Sequence, residues 1–251
     1  MSAPASAADW LAARPVAHRG LHDAALGVVE NTPTAGQVAA RAGFAIECDV
    51  QLSADGEAVV FHDFTLDRLT TGQGRVDDLS VAELAALSYK GSTDRIVTLD
   101  AYLDLIGGRV PLIVEIKSRF DGDLRLTRRT ADIVNRRSEP VALMSFDPDV
   151  VEALRALAPD RPRGVVAEAA YTHGEWQELS DEQRHELTNF LHIDRSRPDF
   201  IAWHVKDLPH TTPALARHFG LPVLTWTVRS PDDREAAARF ADQIIFEGFH
   251  P

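Results

Sequence analysis

Nine short apolar runs, rich in β-branched residues, recur along the chain: PVAHR (15–19), FAIECDVQL (44–52), AVVFH (58–62), PLIVEIK (111–117), VALMSF (141–146), GVVAE (164–168), FIAWHV (200–205), VLTWTV (223–228) and QIIFE (243–247). Between most of them lie amphipathic segments long enough for a helix. Several of these carry helix-start signals. Asp147-Pro148 and Ser230-Pro231 read as an N-cap followed by proline at the first helical position. Ser80 to Glu83 matches a capping box. Strand and helix in alternation predict a parallel sheet.

Nine strands is one more than a closed eight-stranded barrel holds, and connection length resolves the excess. A parallel crossover needs about a dozen residues. Only SADGE separates the second run from the third, and Asp55-Gly56 is a hairpin signal. The third run therefore folds back antiparallel on the second. Eight parallel strands in 251 residues predict a TIM (β/α)8 barrel, single-domain over 1–251. A β-hairpin extends strand two, and a short rim insertion follows at about 64–98. An open doubly wound sheet is the runner-up, but no Gly-rich phosphate loop follows the first strand. A tight turn at Asp55-Gly56 sets His62 opposite Asp49, a four-residue loop sets it opposite Glu47, and only an odd slip separates them.

Composition narrows the partners. With 26 basic and 38 acidic residues the net charge is -12, which repels nucleic acid and anionic membranes at long range. A phosphate ligand then needs local positive charge or a metal. Cys48 is the only cysteine, so neither an intrachain disulfide nor a Cys-rich zinc site is expected. The N-terminus lacks a signal-peptide pattern, and no window has the length of a membrane-spanning helix. A cytoplasmic protein with no stable membrane insertion is the expectation.

Barrel active sites lie at the C-terminal strand ends. There the sequence places His18-Arg19, then Glu47 and Asp49, then His62-Asp63, then Glu115 and Lys117. Glu47 and Asp49 share a face, as do Glu115 and Lys117. Converging carboxylates require protonation or a cation among them. Oxygen-only ligands favour Mg2+ or Ca2+. Such an ion neutralises a phosphate and polarises its P–O bonds. Arginine and lysine add positive charge, and two histidines can divide proton transfer between attacking and leaving oxygens. Those parts describe metal-assisted cleavage of a phosphate diester.

HRG, ENT, E-x-D, V-V-x-H-D, E-I-K and W-T-V, in that order over nearly the whole chain, resemble the glycerophosphodiester phosphodiesterases. The resemblance implies a TIM barrel with a short insertion after the H-D element. It implies one divalent cation on Glu47, Asp49 and Glu115, His18 and His62 as the acid/base pair, and Arg19 and Lys117 near the phosphate. The implied reaction yields glycerol 3-phosphate and an alcohol from a small diester. Two departures from the family pattern stand out. Val29 stands where proline is usual before Glu-Asn. Phe246-Glu247 replaces the usual Thr-Asp of the last strand, a change expected to reshape the pocket for the alcohol.

Other residues carry bland readings. Glu30 and Asn31 either cap the helix starting near Pro33 or contact ligand. Trp226 is a candidate wall for glycerol or a core aromatic. Cys48, of opposite parity to Glu47 and Asp49, faces the helices. His22, His173, His192 and His204 read as structural. Competing functions are a related barrel giving a cyclic phosphate from a lysophospholipid or other diester, a Schiff-base lyase on Lys117, and a non-catalytic diester-binding barrel. Carboxylates flanking Lys117 oppose the lyase, because they keep the amine protonated.

Overall fold

Eight parallel strands close into a barrel in the computed structural model, which describes residues 10–251. The N-terminal stretch read for a signal peptide begins outside the described residues. The chain runs β1 (Val16–Ala17), α1 (Pro33–Ala42), β2 (Ala45–Leu52), β3 (Ala58–Val60), α2 (Val81–Ala86), α3 (Leu99–Ile106), β4 (Leu112–Ile116), α4 (Arg125–Val134) and β5 (Val141–Ser145). It continues through α5 (Pro148–Leu157), β6 (Arg163–Ala167), α6 (Asp181–Thr188), α7 (Ile193–Ser196), β7 (Phe200–His204), α8 (Thr211–His218), β8 (Val223–Val228), α9 (Pro231–Phe240) and β9 (Gln243–Phe246). Strand β1 pairs with both β2 and β9, which closes the barrel, and β3 hangs antiparallel on β2.

Strand parity sorts the side chains. On β2, Ile46, Cys48 and Val50 pack outward with Ala39, Ala40 and Tyr102 of the surrounding helices. Ala45 joins the inner core with Ile113, Met144, Phe200 and Leu224. Gly164 makes room for that core, because a Cβ there would meet the Phe200 ring at 2.4 Å. Cys48 is buried on the helix side, as its parity requires.

The helix starts follow the sequence at three places. Asp147 accepts from Asp149 N, with Pro148 next, and Ser80 and Ser230 form capping boxes with Glu83 and Asp233. At α1 the cap is Thr32, whose hydroxyl accepts from Ala35 N. Glu30 and Asn31 are thus not the cap; their side chains turn into the barrel mouth.

The hairpin register corrects the sequence reading. Val50 pairs with Val60 and Leu52 with Ala58, so the slip is odd and His62 faces neither Asp49 nor Glu47 across the ladder. Residues 54–56 form a three-residue loop. Ser53 N donates to Glu57 O at 2.9 Å, and Gly56 takes a φ of +83° that suits a bulge-type turn. The ladder ends where Phe61 N donates to Asp49 O at 3.0 Å. His62 lies beyond it, and Gln51 Nε2 holds its carbonyl at 2.8 Å.

Between β3 and α3 the chain builds a small apolar cluster in which Leu66, Val76, Leu84, Tyr89 and Ile96 pack on Val59 and Phe61. Val29 packs against the same cluster. Among the described residues no helix is long and apolar enough to cross a membrane.

Candidate active site

The first wall grows from the end of β1. His18 N continues the ladder by donating to Phe246 O at 3.0 Å. Arg19 and Gly20 then turn sharply, both with left-handed φ of 54° and 78°. Gly20 has a steric reason as well, since a Cβ would lie 2.8 Å from the backbone carbon of Ala35 in α1. The turn brings Arg19 N to Glu47 Oε2 at 2.9 Å.

The second wall is β2 against β4. Asp49 and Glu115 are lateral partners in the parallel ladder, and Glu47 sits two residues before Asp49 on the same face. Oxygens of all three carboxylates lie within 4.8 Å of one another. Their exposures are 1%, 1% and 7% for Glu47, Asp49 and Glu115, so water does little to screen them. Lys117 Nζ reaches Asp49 Oδ1 at 2.7 Å and Glu115 Oε1 at 2.5 Å. Arg19 Nε stands 3.5 Å from Asp49 Oδ2.

These contacts separate the carboxylates electrically. Burial would raise Asp49, but Lys117, His62 and Arg19 overcome it and hold the carboxyl below its usual range. Burial and the charges of Asp49 and Glu115 push Glu47 well above its usual range, with Arg19 opposing only in part. Among the described residues, Glu47 Oε1 is buried and has no hydrogen-bond partner. An unpartnered buried carboxylate oxygen is costly, and a cation beside it removes the cost. The donor set therefore fits a hard divalent ion better than it fits the two basic side chains alone.

His62 and His18 flank this cluster. His62 Nδ1 lies 2.7 Å from Asp63 Oδ1, and Asp63 takes two further bonds from Arg68, at 2.6 and 2.8 Å. Arg68 also reaches Glu30, at 2.7 and 3.0 Å, and Glu30 accepts from Arg19 at 2.6 Å. Burial opposes the ionised form of Glu30, but the two arginines hold it at about 2. His18 Nδ1 lies 2.9 Å from Glu247 Oε2, while its Nε2 is 3.9 Å from Glu47 Oε2. Burial lowers the His18 imidazole to about 4, against the pull of Glu247.

A cavity of about 530 Å3 opens from His62, Glu115 and Lys117 between Phe64, Phe120, Phe146 and Trp176. Trp226 is not on that wall. Its indole donates to Ala202 O at 2.9 Å and packs edge-on against Phe146, with ring centroids 5.4 Å apart. The aromatic lining of the cavity was not legible in the sequence, because Phe146 and Trp176 carry no motif.

A sequence model of the glycerophosphoryl diester phosphodiesterase family matches residues 18–248. The chain belongs to that family. A glycerophosphodiester phosphodiesterase of Caldanaerobacter subterraneus is 41% identical over 111 residues, 41% of this chain and 44% of that one. A Bacillus subtilis relative is 32% identical over 160 residues, 60% of this chain and 64% of its own length. The chain thus matches less than two thirds of the length of either relative. A glycerophosphodiester phosphodiesterase structure from Agrobacterium tumefaciens superposes with a TM-score of 0.67 at 26% identity, covering 92% of this chain and 94% of that one. A phosphodiesterase of Oleispira antarctica, solved with its product sn-glycerol-3-phosphate, gives 0.77 at 22% identity with 94% of both chains covered, a likeness of fold.

The two residues of the last-strand departure from the family pattern point to different sides. Phe246 is buried on the helix side of the barrel, edge-on to Phe44. Glu247 bonds His18 and is absent from the cavity wall beside Lys117. The other histidines have local partners or burial: His173 meets Glu168 at 2.9 Å, His204 meets Asp207 at 3.2 Å, and His192 is buried beside Ser196. His22 Nε2 lies 3.9 Å from Glu247 Oε2.

Proposed function

We propose that this chain, acting as a single barrel unit with its rim insertion, hydrolyses glycerophosphodiesters to glycerol 3-phosphate and an alcohol with the help of one divalent cation. The observation that carries the reading is the buried Glu47–Asp49–Glu115 cluster, with one carboxylate oxygen unpartnered, between two histidines. Family membership and the product bound by the Oleispira protein support it.

Glu47, Asp49 and Glu115 are the residues that would hold Mg2+ or Ca2+, since all offer oxygen. Bound there, the ion supplies charge neutralisation and polarisation of the phosphoryl group. Arg19 and Lys117 bind the phosphate oxygens. His18 and His62 move protons, one from the attacking oxygen and one to the leaving oxygen. The cavity beside Lys117 takes an arm of the diester, and the Phe146–Trp176 wall excludes water from that side. Trp226 backs this wall through Phe146 rather than touching the glycerol. Lys117 acts as an ammonium. Burial opposes its charge, yet Asp49 and Glu115 hold its pKa above the usual lysine value, which disfavours Schiff-base chemistry.

The test is release of glycerol 3-phosphate from glycerophosphocholine and glycerophosphoethanolamine, after EDTA and after adding back Mg2+ or Ca2+. Metal-dependent release is expected. A cyclic phosphate as the product would replace water by an internal hydroxyl as nucleophile. No cleavage of either diester with either metal would sink the reading.

A further inference from the structure

We infer that Glu247, itself fixed by Arg229, is the positioning residue of His18. It holds the imidazole with Nδ1–H toward β9 and the Nε2 lone pair toward the carboxylate cluster. The geometry lies in one atom. Glu247 Oε2 accepts from Arg229 Nη2 at 2.8 Å and lies 2.9 Å from His18 Nδ1. An ionised carboxylate only accepts, so the ring nitrogen facing it carries the proton. In a neutral imidazole the other nitrogen is then the acceptor. That nitrogen, Nε2, is the one turned toward Glu47.

A purely structural tie between β9 and β1 does not require this side chain. The two strands are already joined by their ladder and by His18 N on Phe246 O. The same construction appears on the second histidine, where Arg68 grips Asp63 and Asp63 faces His62 Nδ1. Two Arg–carboxylate–His chains, Arg229–Glu247–His18 and Arg68–Asp63–His62, thus fix the Nδ1 side of two imidazoles. Glutamate at 247 sets the reach. Aspartate is one methylene shorter and leaves the ring nitrogen beyond hydrogen-bond distance unless the strand end moves.

The kinetic arm of the test rests on the diesterase reading; the spectroscopic arm does not. E247A is expected to lower kcat at least about tenfold with little change in KM, a fraction of what a positioned acid/base group contributes. E247Q, which keeps the length and one acceptor oxygen, is expected to lose less than E247A, and E247D more than E247Q. In an H18A background E247A is expected to add nothing, because its effect passes through the ring. Two-bond 1H–15N correlations of His18 should show the Nδ1–H tautomer in the native protein and a shift toward Nε2–H in E247A. An unchanged tautomer, or an equal loss of rate with and without His18, would overturn the inference. If E247A does not fold, the E247Q spectrum and its rate carry the same comparison. A native protein inactive on every diester would refute the diesterase reading alone, since the tautomer is read without turnover.

Discussion

Asn31 and Asp49 hold each other at both ends. Asn31 Nδ2 donates to Asp49 Oδ2 at 2.8 Å, and Asp49 N donates to Asn31 Oδ1 at 3.1 Å. Both residues are buried, and Asn31 takes a left-handed φ of 56° to make the pair. Asparagine tolerates that conformation better than most residues. The amide thus orients a carboxylate of the cluster from a loop 18 residues away.

Asn31→Gly keeps the left-handed backbone accessible but removes both bonds. It is expected to cost about 1–3 kcal/mol of stability, the range for stranding a buried donor, and to weaken Mg2+ or Ca2+ binding. Urea unfolding and metal titration by calorimetry check the two effects. Asn31→Ala should be worse by about 1 kcal/mol because it adds backbone strain.

Glu115→Gln should lose metal binding and diesterase activity together. His62→Ala should keep metal binding and lose at least about a hundredfold in kcat, the low end for a positioned acid/base group. Calorimetry with either cation, alongside steady-state rates, separates the two kinds of loss. Equal metal affinity in Glu115→Gln and the native protein would remove Glu115 from the ligand set.

Gly20→Ala combines a φ of +78° with a contact to Ala35 at 2.8 Å. A destabilisation of about 1–3 kcal/mol follows from the strain alone. The turn also carries Arg19 N to Glu47, so activity should fall beyond what the loss of folded protein explains. Thermal melts set beside rates normalised to folded fraction test this.

Acid should loosen the protein through His192. Burial lowers its imidazole to about 4 in the folded state, against 6.5 for an ordinary histidine. The folded pKa is depressed, so the unfolded chain binds the proton first as pH falls. The stabilisation is full above pH 6.5 and is lost progressively down to about pH 4, amounting to about 3 kcal/mol. His192→Gln should flatten the stability curve in that window, read from urea midpoints at pH 7.5, 6, 5 and 4. His18 contributes with the same sign, so the variant's curve keeps part of its slope.

Much of the fold was legible because alternation of strand and helix is a local property. Each apolar run became a strand near its expected bounds, and the SADGE loop identified the one antiparallel partner. The hairpin register was not legible. The tight loop leaves out Ala54 of the observed three-residue loop and the four-residue loop adds Ser53 to it, and one residue reverses every facing pair. The site was legible as a list of polar residues at strand ends. Its wiring was not: Arg68 bridges Asp63 and Glu30, Asn31 pairs with Asp49 rather than capping α1, and Trp226 stands behind Phe146.

By itself the sequence determined the barrel, the strand ends that bear the polar cluster and the residue types gathered there, because strand parity and connection length act over a few residues. Only the tertiary structure decided which carboxylate keeps an unpartnered oxygen, which wall lines the cavity, and that Glu247 meets His18 across 229 positions of chain. Barrel closure brings the last strand beside the first, and no local pattern encodes the distances that closure creates.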